Sequence, residues 1–288
     1  MERSRSSRLS DQRIYQMVEE KAEELRIEQK QLIRASEKTK IQVKAVKAEI
    51  YEAEAEEVIF LGDGICVSEQ KEVRDKQPKE GKERTTTEMA MLQNKDGSYR
   101  TMVAGKGVSR VKLYEAEIIR EYGQKASQLP VVALTDGARS LKTEVKKVFG
   151  EEVSHILDWY HLEAKVYQLM TQIVCRKEDK EKYNKVILNE LWKGESNQAI
   201  IYLEEIEARN EKKRDELKGY LDKNEPYIIN YEKRHEVGKI IGSGRMEKQN
   251  DVIVAHRQKR KGMSWSKSGS RNLAIVTAHF NQGTNYLQ

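Results

Sequence analysis

Apolar residues recur at loose helical spacing along the first 57 residues, in a stretch that is otherwise charged and polar. Ile14, Met17, Leu25 and Ile33 can share one side of a helix, and the stretch contains no Gly or Pro to interrupt it. This pattern predicts one or two helices. Because so few apolar side chains are present, we expect residues 1–57 to be a helical extension rather than a separate globular domain.

The pattern changes at Val58, where apolar and β-branched residues become dominant. VIFLGDGICV is a β-rich run broken by Gly-Asp-Gly, KERTTTEMAML alternates in the manner of a strand, and SYRTMVAG is a third such run. NKDG, between the second and third runs, is typical of a hairpin turn. The sequence therefore predicts three strands joined as an antiparallel meander.

Helical and short apolar runs then alternate along the chain. The spacing predicts one helix over 109–123 and another over 137–148, while VVALT and VSHIL are short apolar runs typical of buried parallel strands. After VSHIL the spacing is helical nearly to the end of the chain, and a stretch at about 176–224 is highly charged.

The predicted order is three strands, helix, strand, helix, strand and then helices, which indicates an α/β fold. This order matches the ribonuclease H-like fold, a mixed sheet in which an antiparallel meander continues into parallel strands flanked by helices. We therefore expect one such domain over 58–275, with a helical insertion at about 176–224 and a C-terminal tail over 276–288.

Charge is distributed unevenly. The net charge is +6, and the segment from Tyr231 to Arg271 alone has eleven Lys and Arg against four Asp and Glu. A basic segment of this kind can neutralise phosphates, although a solvated helix face would give the same composition.

Cysteine usage and hydropathy exclude several classes of protein. Cys66 and Cys175 are far apart, which excludes a zinc finger built on a Cys-x-x-Cys pair. No apolar run approaches the roughly 20 residues that span a membrane, and no apolar stretch follows the N-terminal arginines as it would in a secretory signal. We expect a cytoplasmic protein with no membrane contact.

Three acidic residues lie where chemistry is plausible. Asp63 lies inside an apolar strand, which is costly for a carboxylate unless a cation meets it; a turn or bulge is the structural alternative. Asp136 follows VVALT, at the end of a parallel strand where α/β sheets bind ligands, but Asp is also a good helix N-cap. Glu247 follows Gly-Ser-Gly in a predicted helix, whose dipole alone also favours an acid there.

Packing of that helix beside the first strand would bring the three carboxylates together. Mg²⁺ prefers carboxylate and water oxygens, and two such ions roughly 3.5–4 Å apart activate a nucleophile and stabilise a leaving oxygen in phosphodiester cleavage. We therefore expect two Mg²⁺ ions, replaceable by Mn²⁺, to bind Asp63, Asp136 and Glu247.

Four segments resemble the Mutator superfamily of DDE transposases, in particular bacterial insertion-sequence transposases of the ISKra type. GDGICV resembles the first-aspartate strand of that family, and VVALTDGARSL resembles its second-aspartate strand with the helix that follows. HILDWYHL resembles the family's Asp-x-x-His signature. GSGRMEKQNDVIVAHRQKRKGMSWS resembles its glutamate helix and the Gly-Met-x-Trp stretch beyond, and is the most specific match.

The resemblance implies a catalytic triad of Asp63, Asp136 and Glu247, with Asp158 and His161 near the site. It implies cleavage and strand transfer of double-stranded DNA, at terminal inverted repeats and a target, by a homo-oligomer associated with the nucleoid. Residues 1–57 would then be a truncated region for binding the repeats. The candidates for DNA contact are Arg245, Lys248, Arg257, Lys259, Arg260 and Lys261.

Two other functions remain open: an idle DNA-binding remnant of a transposase, and another ribonuclease H-like nuclease that hydrolyses DNA without strand transfer. Several aromatic and imidazole side chains also have two interpretations. His161 is either near the reacting phosphate or a helix-start histidine satisfied by hydrogen bonds. Trp159 and Tyr160 either stack on an unpaired base or lie in the core, where we also expect Trp265.

Overall fold

The computed structural model describes residues 10–70, 84–260 and 263–281. Within these ranges the strands are β1 (Val58–Ser68), β2 (Arg84–Gln93), β3 (Tyr99–Val103), β4 (Val131–Thr135) and β5 (Ser154–Leu157). The helices are α1 (Asp11–Thr39), α2 (Arg110–Tyr122), α3 (Arg139–Phe149), α4 (Trp159–Ile173), α5 (Lys177–Trp192), α6 (Ser196–Glu205), α7 (Glu211–Asn224), α8 (Tyr231–Glu236), α9 (Gly244–Asn250), α10 (His256–Gln258) and α11 (Lys267–Asn281).

The strands form one mixed sheet in the order β3-β2-β1-β4-β5. β1 pairs with β2, and β2 with β3, in antiparallel register, whereas β1 with β4 and β4 with β5 are parallel. The prediction of an α/β fold, with an antiparallel meander followed by two parallel strands and flanked by helices, is confirmed. β1 lies at the centre of the sheet, between the antiparallel and the parallel parts.

Both faces of the sheet are buried, and alternate residues of β1 supply the two cores. Val58 and Phe60 pack with α2 and α3 on one face, whereas Ile59 and Leu61 pack with α4 and the later helices on the other. Because side chains alternate along a strand, Asp63 shares the face of Ile59 and Leu61.

Within the predicted helical extension, Asp11–Thr39 forms a single long helix that belongs to the same core, whereas residues 40–57 are not helical, and Ala45 pairs with Leu129 in an isolated bridge. Ser10 caps α1 by accepting from the Arg13 N–H, and Lys40 ends it in a left-handed conformation with φ of 58°. The helix packs against α2 and α11, and its Leu25 is buried in the core of the sheet. At the other end of the domain, the expected tail boundary at residue 275 falls inside α11.

The charged stretch at 176–224 forms α5, α6 and α7, which pack against α4 and one another. A buried ion pair fixes α8, which follows them: the Arg234 guanidinium lies 2.9 Å from Glu57 Oε1, just before β1, and is fully buried. None of the helices in the described ranges combines the length and apolarity that crossing a bilayer requires.

Candidate active site

Three aspartates follow one another across the parallel edge of the sheet. Gly62 of β1 pairs with Thr135 of β4, and Thr135 pairs with Leu157 of β5. The next residue on each strand is an aspartate, so Asp63, Asp136 and Asp158 lie side by side where β4 and β5 end. Parallel register thus brings together residues that are 95 positions apart at the extremes, as the alternation of strands and helices predicts.

Asp63 is buried within regular strand pairing, opposite Met89 of β2, so it is not a turn or bulge residue. Its Oδ1 accepts a hydrogen bond from its neighbour Gly64 N at 2.7 Å, and its Oδ2 accepts one from Asn250 Nδ2. Burial raises the pKa of Asp63 despite the Gly64 hydrogen bond, and the nearby carboxylates of Asp136 and Asp158 raise it further. A buried carboxylate beside other carboxylates is a favourable binding site for a cation, because the cation offsets their mutual repulsion.

Asp136 is partly buried, and the structure does not use it as a helix cap. Its Oδ1 accepts from Ala138 N at 2.8 Å, while α3 begins after Ala138, which is itself the N-cap residue. Gly137 makes this turn possible, because its φ is 81° and a Cβ there would lie 2.8 Å from Leu157 Cδ1. The turn leaves Asp136 next to Asp63.

Asp158 has a different role, because backbone N–H groups use both of its oxygens. It is fully buried and caps α4: Oδ1 accepts from Tyr160 N at 2.7 Å and from His161 N at 3.2 Å, and Oδ2 accepts from Ser243 N at 2.5 Å. Burial alone would raise the pKa of Asp158, but the ion pair with His161 and the hydrogen bond from Ser243 outweigh it, and the pKa is lowered. Asp158 therefore joins α4 to the start of α9.

His161 lies close to the carboxylates of Asp63, Asp136 and Asp158. Its Nδ1 lies 3.5 Å from Asp158 Oδ2, and its side chain is 32% exposed. The Asp158 carboxylate at this distance raises the pKa of His161 to about 9, against the effect of burial, and the charges of Asp63 and Asp136 act in the same direction. His161 is therefore an imidazolium at neutral pH, facing three carboxylates.

Glu247 lies on α9, the helix that packs across β1, but it is exposed. The described residues show no hydrogen bond or ion pair between Glu247 and the aspartates. In the same ranges no group of three or more His, Cys, Asp or Glu side chains is arranged to hold a metal ion. The structure thus brings together Asp63, Asp136, Asp158 and His161, whereas Glu247 is exposed on α9.

Asn250 is the residue of the last helix that meets Asp63, and sequence reasoning missed it as a site residue. It is buried, it donates to Asp63 Oδ2, and its own Oδ1 is buried without a hydrogen-bond partner among the described residues. Asn250 is three residues beyond Glu247, so the two share one face of α9. A π-helical turn, Asp251–Ala255, follows directly, an irregularity that is frequent at functional sites.

A buried lysine that sequence reasoning also missed lies beside Asp136. Lys142 Nζ donates to Asn224 Oδ1 at 2.6 Å and lies 3.9 Å from the centre of the Tyr227 ring. Burial, together with the charge of Lys223, lowers the pKa of Lys142 to about 8, against the opposite effect of Asp136. This contact docks the end of α7 onto the turn that carries Asp136.

The candidate DNA contacts lie on α9 and just beyond the π-helical turn. Arg257, Lys259 and Arg260 are exposed there, whereas Lys261 lies outside the described residues. On α9, Lys248 and Arg245 are also exposed, and the Arg245 guanidinium lies 5.1 Å from the centre of the Tyr99 ring.

Trp265 anchors the part of the chain that follows the basic residues Arg257, Lys259 and Arg260. The ring is partly buried, and its Nε1 donates to Gln258 O at 3.1 Å, across the base of the segment. The Trp265 N–H donates to Ser68 O, at the end of β1. These contacts fix where the basic residues lie relative to the sheet.

Neither a protein-family model nor a curated protein matches this chain.

Proposed function

We propose that this protein is an insertion-sequence transposase of the Mutator type, which cleaves DNA and joins the freed 3′-hydroxyl to a target strand. The observation that carries the proposal is the pair of Asp63 and Asp136 on adjacent parallel strands, with α9 packed across β1. The strand order β3-β2-β1-β4-β5 is the order expected of a ribonuclease H-like sheet. The resemblance of the four sequence segments supplies the reaction class.

The donor groups fit Mg²⁺ or Mn²⁺ in chemical kind, because they are carboxylate oxygens beside a partly open edge of the sheet. Asp63 and Asp136 would hold the ions, and Glu247 on α9 would supply the third carboxylate. Two bound ions supply an activated nucleophile and a stabilised leaving oxygen. The raised pKa of Asp63, from burial and then from neighbouring acids, supports a cation there.

The other residues position these groups and the DNA. Asn250 orients the Asp63 carboxylate through its hydrogen bond, and Asp158 holds the N-terminus of α4 and the start of α9 in place. The His161 imidazolium presents positive charge on the same side as the acids, where it attracts a phosphate. The exposed basic residues of α9 and of the segment after the π-helical turn bind the flanking phosphates.

The test is an assay of strand cleavage and of strand joining with Mg²⁺ or Mn²⁺. The substrates are a supercoiled plasmid and a labelled DNA with a free 3′-hydroxyl, since only a transposase joins the second to the first. Asp63→Asn, Asp136→Asn and Glu247→Gln should each abolish both products while DNA affinity, from fluorescence anisotropy, is retained. A variant that cleaves like the wild type removes its residue from the mechanism.

One observation favours a second candidate, an idle DNA-binding remnant. Glu247 is exposed, and no hydrogen bond or ion pair joins it to the aspartates within the described residues. The idle protein would bind DNA with unchanged affinity after loss of all three acids, and would form neither product with either metal. Cleavage without joining would instead indicate another ribonuclease H-like nuclease.

A further inference from the structure

Tyr160 is an exposed aromatic residue at the edge of the candidate active site. It lies in the first turn of α4, two residues after Asp158, and its N–H donates to Asp158 Oδ1 at 2.7 Å. About half of it is open to solvent, with an exposed fraction of 49%. Its neighbour Trp159 is buried against Trp192 and Tyr231, so the structure separates the two aromatic residues: Trp159 lies in the core and Tyr160 does not.

A glycine leaves room for the Tyr160 ring in this position. A Cβ atom on residue 242 would lie 2.3 Å from Tyr160 Cδ2 and 2.6 Å from Cε2, so any other residue there would displace the ring. Gly242 immediately precedes Ser243, whose N–H donates to Asp158 Oδ2. One edge of the ring therefore lies against backbone that is itself hydrogen-bonded to Asp158.

Basic residues of α4 and α9, beside the acids that would hold the metal ions, suit a nucleic acid strand. α9 starts two residues after Gly242 and carries exposed Arg245 and Lys248, while His161 is protonated on the same turn of α4 as Tyr160. Positive charge along the backbone path, with an aromatic ring fixed beside it, is the combination by which proteins bind unpaired nucleotides. A stacked base in a duplex has no free face, so the ring can receive a base only when that base leaves the stack.

We propose that Tyr160 stacks on an unpaired base of the DNA strand next to the phosphate that binds at Asp63 and Asp136. This inference rests on the proposed function, because it takes the two aspartates as the place of the reacting phosphate. Tyr160 is then a residue that positions the strand, and its exposed part is available to the base.

The test uses duplex DNA that contains one bulged 2-aminopurine, compared with the same duplex fully paired and with an abasic site at that position. Binding and 2-aminopurine fluorescence are measured without divalent metal, so no cleavage is needed. The wild type should prefer the bulged duplex by about tenfold and quench its fluorescence. Tyr160→Ala should lose the preference and the quenching, Tyr160→Phe should keep both, and the abasic duplex should not distinguish the wild type from Tyr160→Ala.

Tyr167 provides the matched control, since it lies two turns further along α4 and is 46% exposed. Tyr167→Ala should behave as the wild type, and thermal unfolding of each variant shows that it is folded. An unchanged preference in Tyr160→Ala, or no preference in the wild type, overturns the inference. Equal losses in Tyr160→Phe and Tyr160→Ala also overturn it, because they assign the contact to the hydroxyl. These outcomes are independent of cleavage, whose absence would count against the proposed function instead.

Discussion

The Asn250 side-chain amide donates a hydrogen bond to Asp63 Oδ2, which joins the last helix of the site to the central strand of the sheet. The amide uses one lone pair of this carboxylate oxygen and leaves the other for a metal ion. The other end of the amide, Asn250 Oδ1, has no hydrogen-bond partner within the described residues. The hydrogen bond from Asn250 thus offsets part of the free-energy cost of burying the Asp63 carboxylate when no cation is bound.

We expect Asn250→Asp to destabilise the metal-free protein and to be rescued by metal. The change removes the donor and adds a second carboxylate beside Asp63, so the free energy of unfolding should fall by about 3 kcal/mol or more. Mg²⁺ or Mn²⁺ that binds only the folded state should recover this loss. Urea denaturation with and without metal measures both effects.

Asn250→Leu is the control for that prediction. It removes the same hydrogen bond without adding charge, so it should cost about 1–3 kcal/mol and gain no more from metal than the wild type does. An Asn250→Asp variant that metal stabilises no better than Asn250→Leu would contradict a cation site at Asp63.

The ion pair of His161 with Asp158 predicts a stability that depends on pH. The pKa of His161 is about 9 in the folded protein, because of the adjacent Asp158 carboxylate, against about 6.5 when unfolded. The pair therefore stabilises the fold fully below pH 6.5, and the effect declines as pH rises through 9. In urea denaturation, the difference between wild type and His161→Gln should be largest near pH 6 and smallest near pH 9.5. A difference that stays constant over this range would show that folding does not shift the pKa of His161.

Much of the fold and half of the site could be predicted from the sequence. Asp63 and Asp136 could be identified from the sequence because each interrupts or ends an apolar run. Parallel strands bring such residues to one edge of the sheet. Asp158 and His161 followed from a family resemblance, and the structure explains them physically as a helix cap and its partner.

The contacts of the last helix could not be predicted in the same way. Glu247 and Asn250 share one face of α9, and only the rotation of that helix against β1 decides which of them meets Asp63. The π-helical turn that follows alters the helical spacing that sequence reasoning assumed to be regular. Lys142 and Asn224 are 82 residues apart, and neither periodicity nor charge indicates that they meet.

The contact between Lys142 and Asn224 predicts coupling between α7 and the turn that carries Asp136. Asn224→Leu should leave the Lys142 ammonium buried without its acceptor, at a cost of about 1–3 kcal/mol in the free energy of unfolding. In a Lys142→Met background, where no charge is buried, the same change should cost about 1–2 kcal/mol less. Urea denaturation of the four proteins measures this difference. Strict additivity of the two substitutions would show that the contact contributes nothing.

The basic segment beyond the π-helical turn predicts how DNA affinity responds to salt. Each phosphate contact adds roughly 0.9 to the slope of log affinity against log salt concentration, because binding releases counterions. Replacement of the exposed Arg257, Lys259 and Arg260 by Ala should therefore reduce that slope by about 2–3 and weaken binding on all sequences alike. Anisotropy titrations over a range of salt concentrations measure the slope.

The matched control for that prediction removes three exposed lysines, Lys177, Lys182 and Lys185, from α5. The two triple variants lose the same net charge, so a general electrostatic effect would weaken both equally. If the contacts are local, only the replacement of Arg257, Lys259 and Arg260 reduces the slope, because only these residues contact phosphates. Equal slopes for the two variants would place the DNA-binding surface elsewhere on the domain.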